Sequence, residues 1–359
     1  MKMFSFVLRR LLSGLLVIAG VAVIVFILFN VLPADPASMM LGQRSDSTSM
    51  ANIQRELGIN QPVSVRFLKF LDDLSPLAIY SDHETSSYYI NRDAISGVTL
   101  FTVGNSFVVL KFPYLRRSYQ TKRPVSAILM EKLPDTAILA IAAIIIASLL
   151  GILLGIIAAV YRDSWVDRFC LFFSVFFVSL PSFFAAILFA WLFGFVLSHW
   201  TGLPMTGGWK GIDPFTGEYT AYRNLVLPSV VLGLRPLSII AQLTRSSMLE
   251  VLSFDYIRTA RAKGVSGKIV ILRHALINAM NPVVTAISGW LGSLLAGAVF
   301  IEYVFGWNGI GKLTVQALEH YDMPVVMGIV LLVSFVFIIL NILADLVNAW
   351  LDPRIRIIS

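Results

Sequence analysis

The chain has 359 residues, 57% of them hydrophobic and 14% charged, with a mean hydropathy of +0.80 and a net charge of +7. Ordinary soluble domains carry about 45–50% apolar and about 25% charged residues, and a chain of this length in water could not hide so much apolar surface. Soluble-enzyme, fibrous and disordered classes are excluded, leaving an integral membrane protein; the single Cys170 and the scattered His83, His199, His274 and His320 form neither a disulfide framework nor a metal-ligand cluster.

The first run free of Asp, Glu, Lys and Arg is Leu11–Ala34. It suffices for a membrane span, which needs about 20 residues, and exceeds the roughly 7–15 of a cleavable signal core. An N-terminal tail with an uncleaved first helix is therefore expected over residues 1–34. Residues 35–131 read as a small extracytoplasmic domain of mixed structure. Within it, 50–74 has helical periodicity in Ile53, Leu57, Val63, Phe67, Phe70 and Leu71. Residues 98–112 place two β-rich runs around Gly104-Asn105, the signal of a hairpin.

The stretch 132–350 reads as the membrane core. Thr136–Tyr161 and Phe169–Trp209, the latter apolar only to about Leu197, supply the second and third spans. Leu225–Met248, interrupted by Arg235 and Arg245, is the fourth, and His274–Ile301 and Met323–Ala344 are the fifth and sixth. The fold class is thus all-α, with about six transmembrane helices.

Lys and Arg accumulate on the cytoplasmic side of membrane proteins. Lys2, Arg9 and Arg10 precede the first span, and Arg162 and Arg168 separate the second from the third. Arg258, Arg261, Lys263, Lys268 and Arg273 separate the fourth from the fifth, and the tail 351–359 holds Arg354 and Arg356. The alternate segments, 199–224 and 302–322, hold only Lys210, Arg223 and Lys312. Both termini are expected in the cytoplasm.

Inside the spans, Pro181 and Pro282 fall within predicted helices and invite kinks. Gly151 with Gly155, and more loosely Gly289 with Gly292, suit close helix contact. Phe169, Phe172, Phe173, Phe176 and Phe177 read as lipid-facing. Arg235 falls near the midplane of its span, where a charge costs about 2.5–3.5 kcal/mol on insertion scales. Three readings stand: an ion pair with Glu302 or Asp345, a cation facing a pathway and meeting a carboxylate, or a snorkelling side chain.

The segment 250–277 is the most informative. Phe254, Ile257, Arg258, Arg261 and Ala262 recur at helical spacing, Gly264 stops the helix, and Ser266 is placed to cap a second helix running into the fifth span. Such a projection suits docking of a partner; the plainer reading is a positive-inside loop. By contrast, Gly306-Trp-Asn-Gly-Ile-Gly311-Lys312-Leu313 nearly matches a phosphate-binding loop but has Leu313 where the Mg²⁺-holding hydroxyl belongs. No ATP site is expected in this chain.

Asp255-Tyr-Ile-Arg258-Thr259-Ala260-Arg261-Ala-Lys263-Gly264, followed by Leu272-Arg-His-Ala-Leu276, resembles the EAA loop of ABC importer permeases. It is most similar to the dipeptide, oligopeptide and nickel uptake group. Arg258, Thr259 and Ala260 stand where the general pattern has an acidic residue and two alanines, and Ile277 where it has proline. The likeness extends through Leu32-Pro-Ala-Asp35-Pro36, Leu133-Pro-Asp-Thr136, Ser179-Leu-Pro181-Ser182, Leu243-Thr-Arg245, Phe305-Gly-Trp-Asn-Gly309 and Asp322-Met-Pro324. Residues of roughly 75–122 read as an insertion against that family.

The resemblance implies a type I importer permease in the cell membrane, surrounded by lipid and without nucleic acid or a bound cofactor. Its partners would be a second homologous permease, two cytoplasmic ATP-binding subunits holding ATP and Mg²⁺, and an extracytoplasmic solute-binding protein. The cargo would be a peptide or a related small solute such as a nickel complex. The EAA segment would be a coupling helix, with Tyr256 and Ile257 as apolar anchors, and Asp255, Arg258, Thr259, Ala260, Arg261 and Lys263 completing the docking surface up to the turn at Gly264. Arg235, Pro181 and Ser182 are the candidates for the translocation pathway. The alternatives are a self-contained secondary transporter and a membrane enzyme or scaffold without ATPase partners.

Overall fold

The computed structural model describes residues 2–31, 62–81, 97–103, 106–111, 113–213, 215 and 217–351. They fall into two compact units. One comprises Met1–Leu15, Lys132–Val315 and Val333–Ser359, and the other Leu16–Glu131 and Gln316–Leu332. Helix α1 (Lys2–Val31) opens the chain, and α2 (Val63–Leu74) with strands β1 (Leu77–Ser81), β2 (Gly97–Val103) and β3 (Ser106–Lys111) follows. Then come α3 (Val125–Val160), α4 (Trp165–Ser179), α5 (Ser182–Phe189), a π-helical turn Ala190–Val196, and strands β4 (Lys210–Asp213) and β5 (Gly217–Thr220). Helices α6 (Tyr222–Leu252), α7 (Asp255–Ala262), α8 (Leu276–Gly297), α9 (Val299–Phe305), α10 (Ile310–Glu319) and α11 (Met323–Leu351) complete it.

Among the described residues, Val125–Val160, Tyr222–Leu252, Gly267–Leu295 and Met323–Leu346 are each long and apolar enough to cross a membrane. Trp165–Ser179 with Ser182–Val196 makes a fifth, bent by 107° at its break, and the apolar part of α1 is the shorter Leu12–Leu28. Of the six expected spans, the second, fourth, fifth and sixth are thus continuous helices of sufficient length, the first is a helix whose apolar part is shorter than a full span, and the third is broken. Pro181 lies in that break, not inside a helix as the sequence suggests. Leu180 before it is extended at ψ 127°, the conformation that a following proline favours, and α5 starts directly after Pro181. Pro282 does lie within α8, as do Pro134 in α3 and Pro228 and Pro236 in α6.

The core of the membrane unit is built from small residues. Leu139, Ala140, Ala143 and Ala147 of α3, Ala185 and Ala186 of α5, and Val231 and Ile240 of α6 are buried together with Phe305 and Trp307. Gly151 and Gly155 let α3 reach α6 at backbone distance: a methyl at Gly151 would meet the Leu237 carbonyl, and one at Gly155 the Ala241 carbonyl and Thr244. Of the looser pair, Gly292 faces the Phe337 ring, whereas a methyl at Gly289 would meet none of the described residues. The rings of Trp165, Phe169, Phe173 and Phe177 meet in series along α4, the first pair stacked and the next two tilted, with centroids 5.2, 4.5 and 5.5 Å apart. Phe169, Phe172, Phe173 and Phe176 are exposed, but Phe177 packs against the core and is not lipid-facing.

In the second unit, α2 turns Phe67, Phe70 and Leu74 towards Phe26, Met327 and Leu331. This accounts for the lower part of the predicted helix 50–74; residues 50–61 lie outside the described residues. Strands β2 and β3 pair antiparallel with Val98 opposite Leu110, and Gly104 and Asn105 between them are likewise outside the described residues. Strand β1, unforeseen in the sequence, pairs with the other edge of β3 to give the order β1-β3-β2. Asp322 anchors a loop of this unit: its buried carboxylate accepts from the Ser118 hydroxyl, the Tyr119 N–H at 3.0 Å and the Gln120 N–H at 3.4 Å.

Candidate functional site

Three features of the membrane unit bear on function: the α7 projection, a cavity beside Arg235, and a buried carboxylate at Glu302.

Helix α7 follows α6 after two residues and is closed by backbone bonds. The N–H of Gly264 donates to the Arg261 carbonyl at 3.0 Å and that of Val265 to the Ala260 carbonyl at 3.2 Å, the paired closure of a helix ending in a left-handed residue. Gly264 is that residue, with φ +76°, and its Cα faces open space. The requirement at this position is conformational, not steric.

Ile257 is fully buried among Ala159, Met248, Val251, Val270, Ala275 and Ala279. It fastens α7 to the chain's own membrane helices and offers nothing to a partner, which corrects its expected place as a docking anchor. Ala260 packs partly against the same cluster. Asp255, Arg258, Thr259, Arg261 and Lys263 remain exposed, as does Tyr256 at 41%. Arg258 pairs loosely with Asp255 at 3.6 Å, and with Arg261 and Lys263 also exposed the free face stays net basic.

The second helix of the projection does not start on a side-chain cap, because Ser266 makes no such bond. It runs from Gly267 through a π-helical turn, Val270–Ala275, into α8. There the Tyr256 hydroxyl donates to the His274 carbonyl at 3.3 Å, and the Asn278 amide donates to both, at 3.1 and 2.7 Å. Tyr256 thereby ties α7 to the root of α8.

The cavity, of about 210 Å³, lies where the α4–α5 break meets α6 and α8. Ser182, Arg235, Trp290 and Ser293 are on its wall; Pro181 borders Ser182 without lining it. Neither carboxylate proposed from sequence pairs with Arg235. Asp345 binds Arg10 at 2.9 Å, and Glu302 is engaged with Thr136 and the α10 amides.

Two arrangements escaped the sequence reading. Arg245 of α6 grips Asp167 of α4 through two bonds, at 2.5 and 2.7 Å, and Asp167 is almost fully buried. Glu302, fully buried, accepts from the Thr136 hydroxyl at 2.8 Å and from the N–H groups of Gly311 at 2.7 Å and Lys312 at 3.2 Å. Two N–H groups of the loop resembling a phosphate site are thus taken by the protein's own carboxylate, and that of Ile310 by the Thr136 hydroxyl at 2.8 Å. The Lys312 ammonium, too, is held by the Gly306 carbonyl and Asn308, both at 3.2 Å.

Burial pushes the Glu302 carboxyl up from 4.5 to about 7, against the lowering effect of its donors and with a further push from Asp135. The folded chain therefore binds this proton more tightly than the unfolded chain between those values. Stability from this group is highest below 4.5 and falls as the pH rises towards about 7. Melting of the purified protein should accordingly drop across that window, and Glu302→Gln should flatten the slope. An unchanged slope in the variant would show that other groups set it.

Residues 151–357 match the family model described as binding-protein-dependent transport system inner membrane component, and residues 3–140 match the N-terminal model of the same component. A dipeptide transport system permease protein from Alkalihalophilus pseudofirmus is 32% identical over 371 aligned residues, covering 99% of this chain and 100% of the relative. A probable D,D-dipeptide transport system permease protein from Escherichia coli is 35% identical, with coverage of 99% and 98%. A glutathione transport system permease protein from Salmonella paratyphi A is 35% identical, with coverage of 99% for both. Among solved structures, a chain of the inward-facing MetNI methionine ABC transporter matches with a TM-score of 0.50 and 17% identity, over 63% of this chain and 97% of that one. That last likeness concerns the fold alone.

Proposed function

This chain belongs to the family of binding-protein-dependent transport system inner-membrane components, as a multi-pass permease subunit of an ABC importer, and we propose that its cargo is peptide. The observation that carries the cargo reading is the near full-length similarity to permeases named for dipeptides and glutathione. Catalysis of ATP hydrolysis belongs to separate subunits of such systems, and nothing favours a secondary transporter or a scaffold. A nickel complex is the competing cargo within the group named from sequence.

In this reading the chain forms half of the pathway beside a second homologous permease. Two cytoplasmic subunits hold ATP and Mg²⁺, and an extracytoplasmic binding protein delivers the peptide. Helix α7 is the coupling helix. Its exposed Arg258, Arg261 and Lys263 suit an acidic groove, while the buried Ile257 passes any movement of α7 to α6 and α8. Both termini lie in the cytoplasm.

Affinity purification of the tagged protein should recover an ATPase, and the reconstituted complex should take up a labelled dipeptide only with ATP and the binding protein present. In a Cys170→Ser background, Thr102→Cys should react with an impermeant thiol reagent in intact cells, and Lys263→Cys only after permeabilisation. Recovery without an ATPase would sink the assembly, and inverted labelling would reverse the orientation.

A further inference from the structure

Arg235 is an exposed residue in a buried stretch. Val231, Leu232, Gly233 and Leu234 before it and Pro236 after it are all buried in the membrane unit. Its guanidinium forms no hydrogen bond or ion pair with any described residue. A cation at this depth of an apolar helix costs several kcal/mol unless it faces water, a counter-charge or a ligand, and Glu302 and Asp345 are both committed elsewhere. The proline that follows adds polarity on the same wall, because it cannot supply the N–H that would bond the carbonyl of Leu232.

What the guanidinium faces is concave. Ser182 reaches the cavity from the start of α5, Ser293 from α8, and Phe177 and Trp290 supply apolar walls. Two serines, a cation and aromatic surface line it from separate segments of chain, the Ser293 hydroxyl making only a long 3.5 Å bond to the Gly289 carbonyl. The cavity of about 210 Å³ is smaller than the roughly 300–1,000 Å³ that encloses a whole small ligand. It is the size for one end of a cargo.

We propose that this cavity is a transient subsite for the carboxylate end of the cargo, with the Arg235 fork as its cation and Ser182 and Ser293 as its hydroxyl partners. The proposal rests on the peptide-permease reading above and deepens it. A planar guanidinium matches a carboxylate through two parallel bonds. Concavity beside a cation unpaired among the described residues suits a small, mobile carboxylate, so we take the cargo over a side chain of the second permease as the occupant.

The test uses the complete complex in liposomes, with the binding protein, a labelled free dipeptide and the same dipeptide amidated at its C-terminus. Arg235→Gln should assemble with its partners and lose free-dipeptide uptake by about tenfold, the equivalent of one charge-assisted hydrogen bond. Arg235→Lys should lose less. Direct occupancy is read separately, from the modification rate of the thiol introduced by Ser293→Cys in a Cys170→Ser background. The free dipeptide should slow that rate and the amide should not, and Arg235→Gln should remove the difference. Equal protection by both peptides, or full uptake by Arg235→Gln, would overturn the subsite. Failure of Arg235→Gln to assemble would also overturn it, assigning the side chain to the interface with the second permease. A parental complex that imports no peptide would defeat the cargo reading itself, and an intact difference in thiol protection would then show that the subsite survives it.

Discussion

A Gly264→Val permease is expected to insert and assemble but to transport at background rate. Gly264 holds φ +76° at the closure of α7, where a β-branched side chain is strained by on the order of 1–3 kcal/mol. That is too little to unfold a membrane domain, and enough to open a two-bond turn. The Gly264 and Val265 amides would leave the Arg261 and Ala260 carbonyls, and Lys263 would lose its fixed place on the basic face. Since no atom crowds the glycine, the effect cannot be a clash. Gly264→Asn is the control, because asparagine tolerates the left-handed region and should keep most of the activity. Uptake should fall at least about tenfold in the valine variant, each decade corresponding to about 1.4 kcal/mol of lost coupling. Normal uptake together with normal cargo-stimulated ATP hydrolysis would remove α7 from the coupling role.

The features that sequence conveyed are those written in neighbouring residues. The α7 stop is local: a helical run, then glycine, with the closing bonds spanning a few residues. The Gly151/Gly155 spacing is local too, and needed only a facing helix to become a contact. What a single chain cannot convey is which of two apolar neighbours turns inwards. Tyr256 and Ile257 look alike as anchors, yet Ile257 is consumed by Met248 and Val270 while Tyr256 keeps an exposed ring. The choice between kink and break at Pro181 depends on whether neighbouring helices satisfy the freed backbone groups. Partners far apart in the chain, such as Thr136 with Glu302, leave no periodicity at all. Glu302 reads as a candidate partner for Arg235 until the α10 amides are brought to it.

The pair joining Asp167 to Arg245 is the second place where a large effect is expected. Asp167 lies in the first turn of α4, where its N–H donates to the Ser164 hydroxyl at 3.3 Å and its carboxylate accepts from the Asp163 N–H at 3.0 Å. A negative charge there also suits the positive end of the helix. Arg245, in the C-terminal part of α6, adds one bond to each carboxylate oxygen in a two-bond grip. Only 3% of the Asp167 side chain and 21% of the Arg245 side chain meet solvent, so water can replace little of what each charge gains from the other. Asp167→Ala should therefore cost about 3–5 kcal/mol, most of it from the stranded guanidinium. The expected readouts are a lower melting temperature in detergent and a reduced yield in the membrane. Asp167→Asn should fall between, since it keeps the hydrogen-bonding shape and loses the charge. The deciding variant is the double substitution Asp167→Leu with Arg245→Met, which removes both charges and fills the space with apolar atoms. It should recover most of the lost stability, because the net worth of a buried pair against apolar replacements is small even when breaking it is costly. If the double variant is no better than Asp167→Ala, the damage lies in the α4 cap and not in the stranded charge; if Asp167→Ala melts like the parent, the pair is a surface ornament despite its burial.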